Sequence, residues 1–302
     1  MLKEHITSLF EYRKDTIVKA KPIFDYNIGK YLSNINLYNE NADSLIVNNQ
    51  IEFVELYTNW ILSSKIFEIK SLNRFSNRYI TNGVTNAFDD FYFIHKNNIT
   101  VLKGEYPYHR DIGFTVVTDI KDIPNNSGLI ISYPFSATGN VHESWEEIIE
   151  YCCDNNISIF IDCCLFGVSS VDTLDLSHPC ITHVAFSLSK IFGTGGARLG
   201  LMFTSHLDYT PISNQNKWFY TNMAGQIIHT SLLKNFSPDY IFNKYRSKQL
   251  EICNNLDIVP SNTVLFGLSS DDKWKEFNRD GYINRMCISY AIQEIQNPLE
   301  FG

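Results

Sequence analysis

Four short stretches carry side chains whose types and spacing could do chemistry. Lys190, in Ser187-Leu188-Ser189-Lys190, directly follows the apolar run His183–Phe186. That places it at the carboxyl edge of a parallel strand, where ligands bind in open α/β sheets. A lysine there becomes a Schiff-base nucleophile once desolvation or a neighbouring cation lowers its pKa; taken alone, it also reads as a solvated loop lysine. Asp162 ends another apolar run, Ile157–Ile161. A carboxylate at such a tip faces a cation or a metal, or caps a helix, because burying it unpaired is costly. Arg198 lies just beyond Gly193-Thr194-Gly195-Gly196. These glycines let a backbone approach an anion closely, and the guanidinium supplies a charged fork to it. Thr81-Asn82-Gly83-Val84-Thr85-Asn86-Ala87 runs from a strand into a helix, where free N–H groups and a hydroxyl make a phosphate cradle.

The elements that must position these residues follow from periodicity. Between Arg78 and Thr204, short β-rich runs alternate with helical stretches, the pattern of a mainly parallel sheet covered on both faces. Strands are expected at Tyr79–Thr81, Ile99–Leu102, Phe114–Val117, Leu129–Ser132, Ile157–Ile161, His183–Phe186 and Leu199–Phe203. The clearest helix is Glu143–Asp154, with Ile148, Ile149, Cys152 and Cys153 on its buried side. Beyond Ser205 the pattern becomes α+β. Helices at 218–235 and 238–254 precede an alternating run at Thr263–Leu268, a short helix at Asp271–Asn278 and a last strand at Tyr282–Tyr290. The expected organisation is an N-terminal segment (1–45), a large domain (46–205) and a small C-terminal domain (206–302).

Composition narrows the function class. The 302 residues are 44% hydrophobic and 19% charged, enough to bury a large core, and the formal net charge is −8. That charge argues against a general nucleic-acid or anionic-membrane binder. No apolar run approaches the about 20 residues of a spanning helix, and Met1–Phe10 lacks a signal-peptide core. The cysteine count is 7, an odd number that includes the adjacent pairs Cys152-Cys153 and Cys163-Cys164, with no zinc-type spacing. No metal site and no disulfide framework is expected. The cysteines read as small core residues in a reducing cytoplasm.

As an ordered set, GVTNA, EYPYH, YPFSATG, IDCCLFG, SLSK with GGARLG, and NRMCIS resemble fold-type-I pyridoxal-phosphate (PLP) enzymes of the class I/II aminotransferase family. The resemblance covers residues 78–204 well and the rest loosely. It implies a seven-stranded α/β large domain, a small α+β domain, and a homodimer with active sites at the subunit interface. Lys190 would hold PLP as a Schiff base and move the Cα proton. Asp162 would pair with the pyridinium nitrogen. The Val84 and Thr85 N–H groups, the Thr85 hydroxyl, Ser187 and Arg198 would hold the phosphate. Tyr106 would stack on the ring with Cys164 on its opposite face, and Arg285 would grip the substrate α-carboxylate.

Three departures stand out. Ser136, in Tyr133-Pro134-Phe135-Ser136-Ala137-Thr138-Gly139, occupies the place of the asparagine that bonds the ring oxygen. Leu165, in Asp162-Cys163-Cys164-Leu165, replaces a tyrosine donor to that oxygen. The chain is short for the family, and the usual long closing helix is expected to be missing. The implied activity is transamination between an α-amino acid and a 2-oxo acid. The alternatives are another PLP reaction on an amino acid (decarboxylation, elimination, racemisation or oxidation) and a non-catalytic PLP-binding protein.

Overall fold

The computed structural model describes residues 19–35, 45–206 and 209–296. A seven-stranded sheet lies at its centre, built from β2 (Asn77–Thr81), β3 (Ile99–Leu102), β4 (Thr115–Val117), β5 (Gly128–Ser132), β6 (Ser158–Cys163), β8 (Ile181–Ser187) and β9 (Gly200–Thr204). Their order is β2-β9-β8-β6-β5-β3-β4, and only β9 runs antiparallel to its neighbours. All seven expected strands are present. The central strands β5 and β6 are buried along nearly their whole length, as strands covered on both faces must be. Helix α3 (Val84–His95) buries Val84, Ala87, Phe88 and Phe91, and α5 (Trp145–Asp154) buries Trp145, Ile148, Ile149 and Cys152. Both stripes have the i, i+3, i+4, i+7 spacing that turns one helix face to a core.

The remaining elements frame this sheet. Helices α1 (Tyr26–Leu32) and α2 (Leu45–Leu62) precede it in the chain, and a parallel pair, β1 (Phe67–Lys70) with β7 (Val171–Asp175), flanks it. Short helices α4 (Pro107–Asp111) and α6 (Ser189–Phe192) follow β3 and β8. Helices α7 (Pro211–Lys217), α8 (Met223–Asn235) and α9 (Tyr240–Leu256) then lead to an antiparallel sheet of order β10-β11-β13-β12. Its strands are β10 (Val259–Pro260), β11 (Phe266–Ser269), β12 (Asn278–Arg279) and β13 (Ile283–Cys287); α10 (Ser289–Gln296) follows. Among the described residues no helix is long and apolar enough to cross a membrane.

Several expectations change. The helix expected at 218–235 begins only at Met223, and a separate helix, α7, ends before it at Lys217. Pro211 starts α7 under a Thr210/Ser213 capping box, Phe219 at φ 59° breaks the path, and Asn222 caps α8 anew. The run from Thr263 pairs as a strand only from Phe266, because Thr263 spends its carbonyl on a turn to Phe266 N and its hydroxyl on Ser169. The last strand, expected to reach Tyr290, ends at Cys287, and Ser289 opens the short helix α10. The β1–β7 pair adds a strand pairing outside the seven expected. The cysteines are not all free: Cys153 at the end of α5 is disulfide-bonded to Cys180, with Cα atoms 5.0 Å apart.

Candidate active site

The expected phosphate residues converge at the carboxyl edge. Thr81, Gly200 and Ser187 lie opposite one another across β2, β9 and β8. The Thr81 hydroxyl is buried without a partner among the described residues. A Cβ on Gly200 would stand 2.6 Å from the Phe186 carbonyl oxygen and 2.9 Å from Thr81 Oγ1, so only glycine fits. Gly83, at φ +78°, opens α3 with no side-chain cap. The N–H groups of Val84 and Thr85 in that first turn have no intrahelical acceptor. Arg198 Nη2 donates to the Asn82 carbonyl at 3.1 Å, and a Cβ on Gly83 would touch that guanidinium at 2.9 Å. Ser187 Oγ accepts from Ser189 N at 3.2 Å. A helix start, an arginine, hydroxyls and two obligatory glycines together make an anion cradle.

Asp162 and Lys190 lie beside this cradle. Asp162 is 4% exposed at the end of β6, and its Oδ1 accepts from Cys164 N at 2.7 Å. Burial outweighs that bond and the charge of Lys190, pushing the carboxyl up to about 6. A shift of about two units costs the ionised form roughly 3 kcal/mol. A cation at 4 Å contributes roughly 4 kcal/mol at an effective dielectric of 20, enough to restore the charge. The site therefore suits a protonated ring nitrogen. The Lys190 amine donates to the Ala20 carbonyl, and burial, with lesser help from Lys21 and Arg285, lowers its pKa. Tyr106 stands at the N-cap position of α4 and stacks on Tyr108, and burial, with Cys164 and Asp162 close by, raises its hydroxyl pKa. Cys164, half-buried, has its thiol held well above its ordinary range by burial and Asp162. Leu165 is buried and has nothing to donate.

Arg285, 3% exposed on β13, donates to the Ser136 carbonyl and lies 4.3 Å over the Phe266 ring. Burial, and then Arg279, bring its pKa down to about 9, so it stays charged at neutral pH. Ser136 thus meets Arg285 through its carbonyl.

Sequence reasoning missed three supports. Glu105, 3% exposed, accepts from Ser132 N at 2.6 Å, Ser132 Oγ at 2.7 Å and Tyr106 N at 3.0 Å, tying the Tyr106 loop to the end of β5. Ser132 stands directly opposite Asp162, and burial lifts the Glu105 carboxyl to about 7. His229 accepts from the Thr194 hydroxyl at 2.7 Å through Nε2 and donates to the Gly225 carbonyl at 2.7 Å through Nδ1. Together with Asn222, which donates to the Ala197 and Arg198 carbonyls, it anchors the glycine loop. Finally, residues 20–21 form a strap: Lys21 N donates to Cys287 Sγ at 3.3 Å, and Ser289 Oγ donates to the Lys21 carbonyl at 2.7 Å. Only Glu105, an acid inside an aromatic motif, left a trace in the sequence; the others depend on contacts distant along the chain.

Solved structures share this fold. A PLP-bound C-S lyase from Staphylococcus hominis superposes with a TM-score of 0.62 at 10% identity, over 95% of this chain and 94% of that one. A probable N-succinyldiaminopimelate aminotransferase from Thermus thermophilus gives 0.62 at 13% identity, over 99% and 100%. An aromatic aminotransferase from Pyrococcus horikoshii gives 0.62 at 15%, over 96% and 95%. The chain has the fold of fold-type-I PLP enzymes. No protein-family model and no curated protein sequence matches it. The residues present fit PLP: the orphaned Thr81 hydroxyl and the glycine-bounded cradle suit a phosphate, and the buried Asp162 suits a ring cation.

Proposed function

We propose that the protein is a PLP-dependent aminotransferase acting between an α-amino acid and a 2-oxo acid. The observation that carries this is the assembly, at one sheet edge, of a half-buried lysine amine, a buried carboxylate and an anion cradle. When bound, PLP supplies an electron sink for the pair left at Cα as a bond there breaks. Lys190 holds the cofactor and moves the Cα proton, its lowered pKa suiting it to act as a base. Asp162 keeps the ring nitrogen charged, and Tyr106 with Cys164 walls the ring on its two faces. Arg285 orients the α-carboxylate with its planar fork. A homodimer belongs to this reading, and exposed Tyr209, Trp218 and Tyr220 offer apolar surface for it.

A second reading, elimination at a sulfur-bearing side chain, is favoured by the likeness to a C-S lyase and by a ring-oxygen site that Leu165 cannot serve. Holoprotein reduced with borohydride should yield a pyridoxyl adduct on Lys190, absent in Lys190→Ala. Amino acid should be converted to 2-oxo acid only when a 2-oxo acceptor is present. An adduct on another lysine would falsify the assignment of Lys190, whereas acceptor-independent release of ammonia would favour the lyase.

A further inference from the structure

Arg279 belongs neither to the anion cradle nor to the lysine pocket. In the small sheet Asn278 opposes Asn284 and Arg279 opposes Ile283. The Asn278 and Asn284 side chains meet at 2.9 Å, which marks one face. Alternation puts Arg279, Ile283 and Arg285 on the other. The Phe266 ring under Arg285 agrees, because Phe266 opposes Cys287 on that same face. Two arginines thus stand as diagonal neighbours on adjacent strands, about 7 Å apart at their side-chain bases. Like charges so placed repel unless an anion joins them.

Two carboxylates lie near enough to act on Arg279, and both are engaged. Glu105 accepts from Ser132 and Tyr106. Asp280 accepts from Arg110 at 2.6 Å. Arg279 Nε is buried and has no hydrogen-bond partner among the described residues. Asp280, the next residue, helps line a cavity of about 220 Å³ together with Lys103, Glu105, Tyr106 and Arg110.

We propose that Arg279 is a specificity residue of the same site, holding a second anionic group, so that the preferred substrate is an amino acid with an acidic side chain. The inference rests on the aminotransferase reading. With the α-carboxylate on Arg285, the side-chain acid of a four- or five-carbon dicarboxylic amino acid reaches the diagonal position. A neutral side chain leaves the buried Arg279 Nε unmet.

The test compares glutamate and aspartate with norvaline and 2-aminobutyrate on holoenzyme, alongside calorimetric titration of the same protein with the unreactive pair glutarate and valerate. Wild type should favour the acids in both measurements. Arg279→Met should lower kcat/KM for the acids roughly 10- to 100-fold, the worth of a charge-assisted hydrogen bond, while leaving the neutral substrates within about twofold. Glutarate binding should weaken likewise, and Arg279→Lys should recover part of both. An equal fall for acidic and neutral substrates overturns the proposal, since Arg279 would then serve the α-carboxylate or the fold. A wild type without acid preference overturns it while leaving transamination standing. A holoenzyme that reacts with no amino acid removes the aminotransferase reading, and this inference with it.

Discussion

At the carboxyl edge of the central sheet, Lys190 lies within reach of the charges of Asp162 and of Arg285, with Glu105 bonded across the end of β5. At the opposite edge His183 is buried, and His95 and His206 are half-buried, against rings. His183 stacks on Phe160 at 5.7 Å and on His206 at 5.1 Å, and Phe91 packs edge-on at 5.3 Å. The Nε2 atoms of all three histidines are buried without partners among the described residues. Burial lowers His95 to about 4, takes His183 well below its ordinary value and lowers His206. Both edges therefore hold strongly shifted groups. At the histidine edge burial acts with only further imidazoles beside it, so the shift merely keeps stacked rings neutral. At the carboxyl edge, acids are raised and bases lowered beside an anion cradle, and a ligand of the matching charge reverses each cost. A shifted pKa marks a functional site only where complementary charges and a cradle accompany it.

The largest effect that tests this contrast is on turnover. Asp162→Asn should slow the reaction roughly 100- to 1,000-fold through lost charge at the ring nitrogen. His183→Phe, which keeps the stack, should leave kcat/KM within about twofold; comparable losses in steady-state assays would erase the distinction between the edges. Next, Arg285→Lys keeps the charge but loses the fork, so KM for an α-amino acid should rise about tenfold with a smaller change in kcat. A smaller effect is expected at the loop anchor. His229→Leu leaves the Thr194 hydroxyl unpaired, so the cofactor dissociation constant should rise roughly three- to tenfold in equilibrium dialysis.

The smallest effects sharpen the comparison through acid–base linkage. The pKa values of His95 and His183 are lowered, so their contribution is present above about 6.5 and is lost as pH falls, for His95 through about 4. Asp162 and Glu105 have raised values, so in cofactor-free protein their contribution is present at low pH and is lost as pH rises through about 6 and 7. Each group adds a slope of at most about 1.4 kcal/mol per pH unit. Urea titrations from pH 4 to 8 should show His183→Phe flattening the acid limb and Glu105→Gln flattening the neutral one. Glu105→Gln also gives up acceptors for Ser132 and Tyr106, so its curve should lie lower while being flatter. Curves parallel to wild type would refute the opposed slopes.

Much of the architecture was legible because the sheet announces itself. Continuous apolar runs such as Leu129–Ser132 and Ile157–Ile161 can only be strands covered on both sides, and Asp162 stands out at the end of one. Part of the cradle was legible too, since Gly83 stands between hydroxyls at a strand-to-helix junction, whereas Gly200 shows its part only through its register with Thr81 and Ser187. Other features rest on contacts that local pattern does not encode. The strand at Phe67–Lys70 makes sense only beside Val171–Asp175, a hundred residues on. Thr263 has the pattern of a strand residue, and only the meeting of its hydroxyl with Ser169 shows otherwise. Cys153 and Cys180 read as core residues because nothing nearby in the chain shows that α5 brings them together. Arg279 gives no signal of its own; register with Arg285 reveals it.

The strap has a consequence for the order in which the protein is made. Lys190 rests on the carbonyl of Ala20, and the next residue is fastened to Cys287 and Ser289. These bonds join residues 266 and 268 positions apart, so the wall around the lysine amine does not exist on a nascent chain until Ser289 has left the ribosome. The finished pocket is a post-translational object, closed by two distant parts of the described chain meeting.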